Sequence, residues 1–170
     1  MKLKENLVFL GMMGAGKTSV GSLVAKELKL DFIDIDKEIE NEIGESIKKI
    51  FEKKGEVYFR NLEEKITLNL LKDKKKILSL GGGAFLNSNI RKEISENCLS
   101  FWLNWKSSTI IKRIYKNNRR PLAFNSSKND LRKLIGKRSK IYSEANYKIN
   151  CESLSKSMIV KKIINLYEKN

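Results

Sequence analysis

The sequence predicts an α/β fold, a parallel sheet held between helices in three layers. Two observations carry it. Short apolar runs alternate with segments of helical periodicity through nearly all of the 170 residues, the pattern of successive strand–helix–strand units. The first of these junctions reads Gly11-Met12-Met13-Gly14-Ala15-Gly16-Lys17-Thr18, a glycine-rich turn of the form G-x-x-x-x-G-K-[ST] set between a strand and a helix.

Taken in order, residues 7–10 form the first strand. A helix over 17–28 follows the turn, with Val20, Leu23, Val24 and Leu28 at helical spacing. The second strand spans 32–36, and helical segments cover 37–43, 46–53 and 56–71, broken at Gly44 and Gly55. The third strand, 77–80, runs into Gly81-Gly82-Gly83, followed by a short helix near 87–95. A fourth strand at 99–103 leads to a helix at 107–116. Residues 117–126 are polar and basic and hold the only proline, Pro121, so they read as a mobile loop of the kind that serves as a lid. The chain ends with a helix over 129–144, a strand at 147–150 and an amphipathic helix over 156–168, with Ile159, Ile163 and Leu166 on one face. No repeat or linker interrupts the pattern, so residues 1–170 are expected to form one domain.

Composition narrows the classes. An apolar content of 41% suffices for a core in a chain of this length. No apolar run is long enough to cross a bilayer and no signal-peptide pattern is present, so a cytoplasmic protein is expected. Two cysteines, Cys98 and Cys151, without C-x-x-C spacing support neither a disulfide framework nor a zinc site. Histidine is absent, which excludes imidazole acid–base and ligand chemistry. The formal charge of +15 fits nucleic-acid binding, steering of anionic small molecules or a solvated lysine-rich surface. The lysines are scattered, so charge alone does not decide.

The chemistry lies in four groups. In the glycine-rich loop, backbone N–H groups can wrap nucleotide phosphates, Lys17 supplies charge to the β and γ groups, and the Thr18 hydroxyl can ligate Mg²⁺. Asp34 and Asp36 close the second strand. Period-two geometry puts both carboxylates on one face, with Ile33 and Ile35 on the other, where they can divide between Mg²⁺ and a substrate hydroxyl. Asp36 also suits a helix N-cap, a reading that accounts for one aspartate and not for two. Arg60 and Glu63, three apart on a helix, share a face; alone they read equally as a surface ion pair of little worth. Gly81-Gly82-Gly83 allows backbone to approach a ligand closely, or makes a flexible turn.

The ordered series of the phosphate loop, Asp34-Ile35-Asp36, Phe59-Arg60-Asn61-Leu62-Glu63, Gly81-Gly82-Gly83, Arg120-Pro121-Leu122 and Arg138-Ser139-Lys140-Ile141-Tyr142 resembles the shikimate kinase family over almost the whole chain. The resemblance implies a nucleoside-monophosphate-kinase-like P-loop fold with a five-stranded parallel sheet in the order 2-3-1-4-5. It implies transfer of the γ-phosphoryl of ATP to the 3-hydroxyl of shikimate, with Mg²⁺ as cofactor, by a monomer with no nucleic-acid or membrane partner. It places a shikimate-binding segment at about 34–62 and a lid at about 114–126. By the same resemblance Gly14, Ala15, Gly16, Lys17, Thr18 and Ser19 hold the phosphates, Thr18 and Asp34 serve Mg²⁺, and Arg113 lies against adenine. Lys17, Asp36 and Arg120 are the implied catalytic residues, Asp36 as base and Arg120 swinging over the transferring phosphoryl. Arg60 and Arg138 clamp the shikimate carboxylate, Glu63 orients Arg60, Phe59 packs on the ring, and Gly82 and Gly83 meet its hydroxyls. Two departures stand out. The loop ends Lys17-Thr18-Ser19 where Lys-Ser-Thr is usual, and residues 151–155 lack the proline or basic residue common near adenine.

Overall fold

The computed structural model describes residues 6–116 and 126–169. Strands β1 (Asn6–Leu10), β2 (Asp31–Asp34), β3 (Lys76–Ser79), β4 (Cys98–Asn104) and β5 (Tyr147–Asn150) form one sheet in the order β2-β3-β1-β4-β5. All four pairings are parallel. The order expected from the resemblance is the order found. β1 lies at the centre with every residue buried, as a parallel strand covered on both faces requires. Phe9 stacks on Phe101 with centroids 5.8 Å apart, and Phe101 stacks on Tyr147 at 5.4 Å, so aromatic packing runs across β1, β4 and β5.

Helices α1 (Lys17–Leu28), α2 (Ile35–Ile43), α3 (Ile47–Leu71), α4 (Ser88–Asn97), α5 (Ser107–Lys116), α6 (Lys128–Tyr142) and α7 (Lys156–Glu168) connect and cover the strands. A 3₁₀ turn at Ala84–Leu86 precedes α4. The face expected of α1 is buried at Val20 and Val24, whereas Leu23 stands at its margin, 40% exposed. The break expected at Gly55 is a kink within α3, at φ 81° and ψ 173°. Cys98 and Cys151 are buried, Cys151 one residue beyond β5. No helix among the described residues is long and apolar enough to cross a membrane.

One assignment is corrected. β2 ends at Asp34, and Asp36 lies in the first turn of α2 rather than at the end of the strand. The cause is local. Asp34 takes extended geometry as the N-cap and accepts from the Lys37 N–H, so the helix begins two residues earlier than the strand pattern implies. The cap is Asp34, not Asp36. The shared side still holds: Ile35 is fully buried while Asp34 and Asp36 line the same cavity.

In this order the sheet reverses its winding at β1, between β3 on one side and β4 on the other. Ligands of open α/β sheets bind beyond the carboxyl ends of the strands at such a point. The glycine-rich loop leaves β1 there, and Gly81–Gly83 leaves β3 beside it.

Candidate active site

The loop after β1 is held from below. Gly11 has φ +140°, and a Cβ there would lie 2.9 Å from the Leu103 carbonyl, so only glycine fits. Lys17 is buried, with Nζ donating to the Gly11 and Met12 carbonyls at 2.9 and 3.0 Å. Thr18 is exposed and its Oγ1 donates to Asp34 Oδ2 at 2.6 Å, joining the start of α1 to the cap of α2. Ser19 Oγ donates to the Gly16 carbonyl at 3.1 Å. Behind the loop, Trp105 Nε1 donates to the Ala15 carbonyl at 2.9 Å and Arg113 Nη1 to the Gly14 carbonyl at 3.2 Å. The Arg113 guanidinium lies 3.8 Å from the Trp105 ring centroid, within cation–π range.

Next to the loop opens a cavity of about 660 Å³, of the size that takes a small metabolite. Lys17, Thr18, Asp34, Asp36, Phe51, Phe59, Arg60, Glu63, Gly81–Gly83 and Arg138 are among the residues that line it. The structure thus gathers residues 17, 18, 34, 36, 59, 60, 63, 82, 83 and 138 around one space. Gly14, Ala15, Gly16, Ser19 and Arg113 sit in or behind the phosphate loop outside it. Arg120 lies outside the described residues, as does most of the expected lid.

Arg60 and Glu63 are not a surface pair. Arg60 Nη1 donates to Glu63 Oε2 at 2.7 Å, and the Glu63 side chain is only 3% exposed. Burial pushes the Glu63 carboxyl above its usual range, Arg60 pulls against that, and the neighbouring Asp36 adds to the rise. The glycines are what let these groups close in. A Cβ on Gly81 would lie 2.7 Å from Asp36 Oδ1 and 2.8 Å from Glu63 Oε1. One on Gly83 would lie 2.6 Å from Arg60 Nη1, and one on Gly82 3.3 Å from Arg138 Nη1. Arg138 Nε is buried with no hydrogen-bond partner among the described residues, and a buried charged donor is costly unless a ligand satisfies it.

Three contributors escaped the sequence reading. Phe51 packs on Phe59 with centroids 4.6 Å apart, but the Gly55 kink between them breaks the helical phase. Trp105 lies between β4 and α5, where no periodicity marks it. Tyr142 stood in the Arg-x-x-x-Tyr motif without a role, and its hydroxyl donates to the Gly82 carbonyl.

A phosphate loop at the switch point, beside an open cavity lined by paired carboxylates and two arginines, defines a P-loop kinase of small molecules. Comparison with known proteins narrows the class. A family model described as Shikimate kinase matches residues 13–168. The shikimate kinase of Bacillus subtilis (strain 168) is 40% identical over 169 residues, 95% of this chain and 88% of that protein. That of Persephonella marina (strain DSM 14350 / EX-H1) is 38% identical over 160 residues, 94% of this chain and 97% of that one. The structure of a shikimate kinase from Acinetobacter baumannii in complex with shikimate superposes with a TM-score of 0.90 at 33% identity, covering 98% of this chain and 94% of that one. This chain belongs to the shikimate kinase family and is an ATP-dependent kinase.

Proposed function

We propose that the cavity binds shikimate through Arg60 and Arg138, and that the glycine-rich loop presents the γ-phosphoryl of ATP to the 3-hydroxyl of shikimate, giving shikimate 3-phosphate and ADP. The carrying observation is the pair of guanidinium groups against Gly82 and Gly83, with Arg138 Nε buried and unsatisfied among the described residues. A carboxylate matches such forks because it accepts two parallel N–H bonds at once. Glu63 holds Arg60 in place, Phe59 forms the apolar wall under the ring, and the Gly82 and Gly83 backbone meets the ring hydroxyls. Asp36, which lines the cavity, accepts hydrogen bonds from those hydroxyls and serves as the base.

In the nucleotide half, residues 14–19 hold the phosphates, Lys17 leaves its loop carbonyls for the β and γ groups, and Arg113 lies along adenine. Thr18 and Asp34 fit a Mg²⁺ ion. They offer a hydroxyl and a carboxylate oxygen 2.6 Å apart, hard donors few enough to leave the remaining positions to water and phosphate. When bound, that ion neutralises charge on the phosphates. Phosphoryl transfer asks the protein mainly for in-line placement and for cations against the spreading charge. Lys17 supplies one such cation, and Arg120, in a lid over about 114–126, supplies another on closure. The reading is completed by one domain over residues 1–170, with an acceptor-binding segment at about 34–62, acting as a cytoplasmic monomer without nucleic-acid or membrane partners.

The test is a coupled ADP-release assay with ATP, Mg²⁺ and a panel of shikimate, gluconate and nucleoside acceptors. Turnover is expected with shikimate and at background with the others. ADP release independent of shikimate, or faster with another acceptor, overturns the reading.

A further inference from the structure

The three consecutive glycines pose a physical problem. A Gly-Gly peptide has no side chain to hold its orientation, and rotation about the flanking bonds is almost free of steric cost. Yet the proposed acceptor contact needs the Gly83 N–H aimed into the cavity. Steric confinement fixes part of the loop. The Ala84 N–H donates to the Gly81 carbonyl at 3.1 Å, and a Cβ on Gly82 would lie 3.4 Å from the Met13 nitrogen, so the phosphate loop runs beside it. The first closes a turn around the Gly82–Gly83 peptide, but type I and type II turns share that bond and differ by a flip of this peptide, a flip that Gly83 permits.

The tyrosine of the Arg-x-x-x-Tyr motif holds that peptide. Tyr142 closes α6, one helical turn beyond Arg138, and is buried to 1% exposure. Its ring packs at 50° against Trp102 with centroids 5.9 Å apart, which leaves the hydroxyl little freedom. That hydroxyl donates to the Gly82 carbonyl, with Met12 Sδ 3.8 Å away. The Gly82 carbonyl and the Gly83 N–H belong to one planar unit, and no peptide bond among the described residues is cis. In a trans peptide the C=O and N–H vectors are antiparallel. Fixing the carbonyl against Tyr142 therefore also fixes the direction of the Gly83 N–H, in a residue that lines the cavity. Among the described residues the Gly83 N–H has no acceptor. Burial pushes the Tyr142 hydroxyl up to about 12, so it keeps its proton, and its role as donor, throughout the neutral range.

We propose that Tyr142 is a positioning residue for the acceptor: its hydroxyl locks the Gly82–Gly83 peptide with the Gly83 N–H presented to a shikimate hydroxyl. This rests on the reading that the glycine loop meets the acceptor. Loss of the hydroxyl frees the peptide to flip, so the acceptor loses a pre-aimed donor while the nucleotide half is untouched.

The experiment is Tyr142→Phe, which removes one oxygen and keeps the ring. The KM for shikimate should rise about five- to tenfold, as for loss of one hydrogen bond, with the KM for ATP and kcat within twofold of wild type. Incorporation of 4-aminophenylalanine at position 142 restores an N–H donor and should recover the shikimate KM. If Tyr142→Phe does not fold, the comparison is between 4-aminophenylalanine and 4-methylphenylalanine at that position, with the same split expected. A shikimate KM within twofold of wild type, or a parallel rise in both KM values, overturns the proposal. Gly83→Ala, measured alongside, separates the two ideas. If it leaves the shikimate KM unchanged, the acceptor is not on the glycine loop and the underlying reading fails. If it raises that KM while Tyr142→Phe does not, only the anchoring role of Tyr142 fails.

Discussion

Gly81 shows how much a single absent side chain contributes. Its backbone passes between Asp36 and Glu63 so closely that a methyl group would sit 2.7 and 2.8 Å from their oxygens. Glu63 is buried and bonded to Arg60, so the more exposed Asp36 is the group that yields. Gly81→Ala should therefore displace the proposed base. We expect kcat for shikimate phosphorylation to fall about ten- to a hundredfold, the usual cost of an ångström-scale misplacement, while the KM for ATP stays within twofold. Steady-state kinetics with each substrate varied in turn check this. Unchanged kcat would mean that Asp36 is not held by this contact, or is not the base. From sequence, the triple glycine read equally as a turn, because the reason for each glycine lies in a side chain that folding brings in from elsewhere: Asp36 and Glu63 for Gly81, Arg138 for Gly82, Arg60 for Gly83.

Among the elements, strands were legible where both faces are covered, and helices where one face is buried and the other is exposed. β1 reads as an unbroken apolar run because helices cover it on both sides. β2, at the sheet edge and partly exposed, carries a weaker signal, and its end was misplaced because capping by Asp34 outcompetes the strand pattern. Junctions were the least legible part. Trp105 lies in the link from β4 to α5 and braces the phosphate loop through Ala15, while its ring carries Arg113. The divergent segment after β5 proves to serve the same corner. Glu152 accepts from the Lys106 N–H at 3.1 Å and from Thr109 Oγ1 at 2.6 Å, fixing the start of α5. The helix that presents Arg113 is thus held at its base by an acidic residue from the segment that lacks the expected proline or basic residue. Trp105→Phe keeps a smaller ring and loses the N–H. Together the lost hydrogen bond and weakened stacking are worth about 1–2 kcal/mol, so the KM for ATP should rise about tenfold with the shikimate KM unchanged. Equal changes in both would assign Trp105 to general stability instead.

At the scale of the whole molecule, the net charge of +15 comes from 35 basic and 20 acidic residues. Alkaline pH strips charge from the many lysines and relaxes their mutual repulsion, so the raw stability of the protein above pH 9 mixes many small contributions. One buried group can still be isolated by difference. The Tyr142 hydroxyl is pushed from 10 up to about 12, chiefly by burial; Glu63 adds to the rise, while Arg138 and Arg60 oppose it. The folded chain therefore holds this proton more tightly than the unfolded chain. Between those two values the folded state binds more protons, so the unfolding free energy falls with pH. The contribution is complete below pH 10 and is lost as pH rises through 12. A two-unit shift corresponds to about 2–3 kcal/mol. At pH 8, Tyr142→Phe should be less stable than wild type by about 1 kcal/mol, the worth of its hydrogen bond. Near pH 12 the order should reverse, because wild type alone must bury or titrate a phenolate. Denaturant unfolding of both proteins at pH 8, 10, 11 and 12 measures the gap directly. The lysines are common to both chains and cancel, so the gap reports the hydroxyl together with its interactions with Arg138, Arg60 and Glu63. A gap that stays constant across that range would place the hydroxyl in contact with solvent, and would remove the rigid anchor on which the orientation of the glycine loop depends.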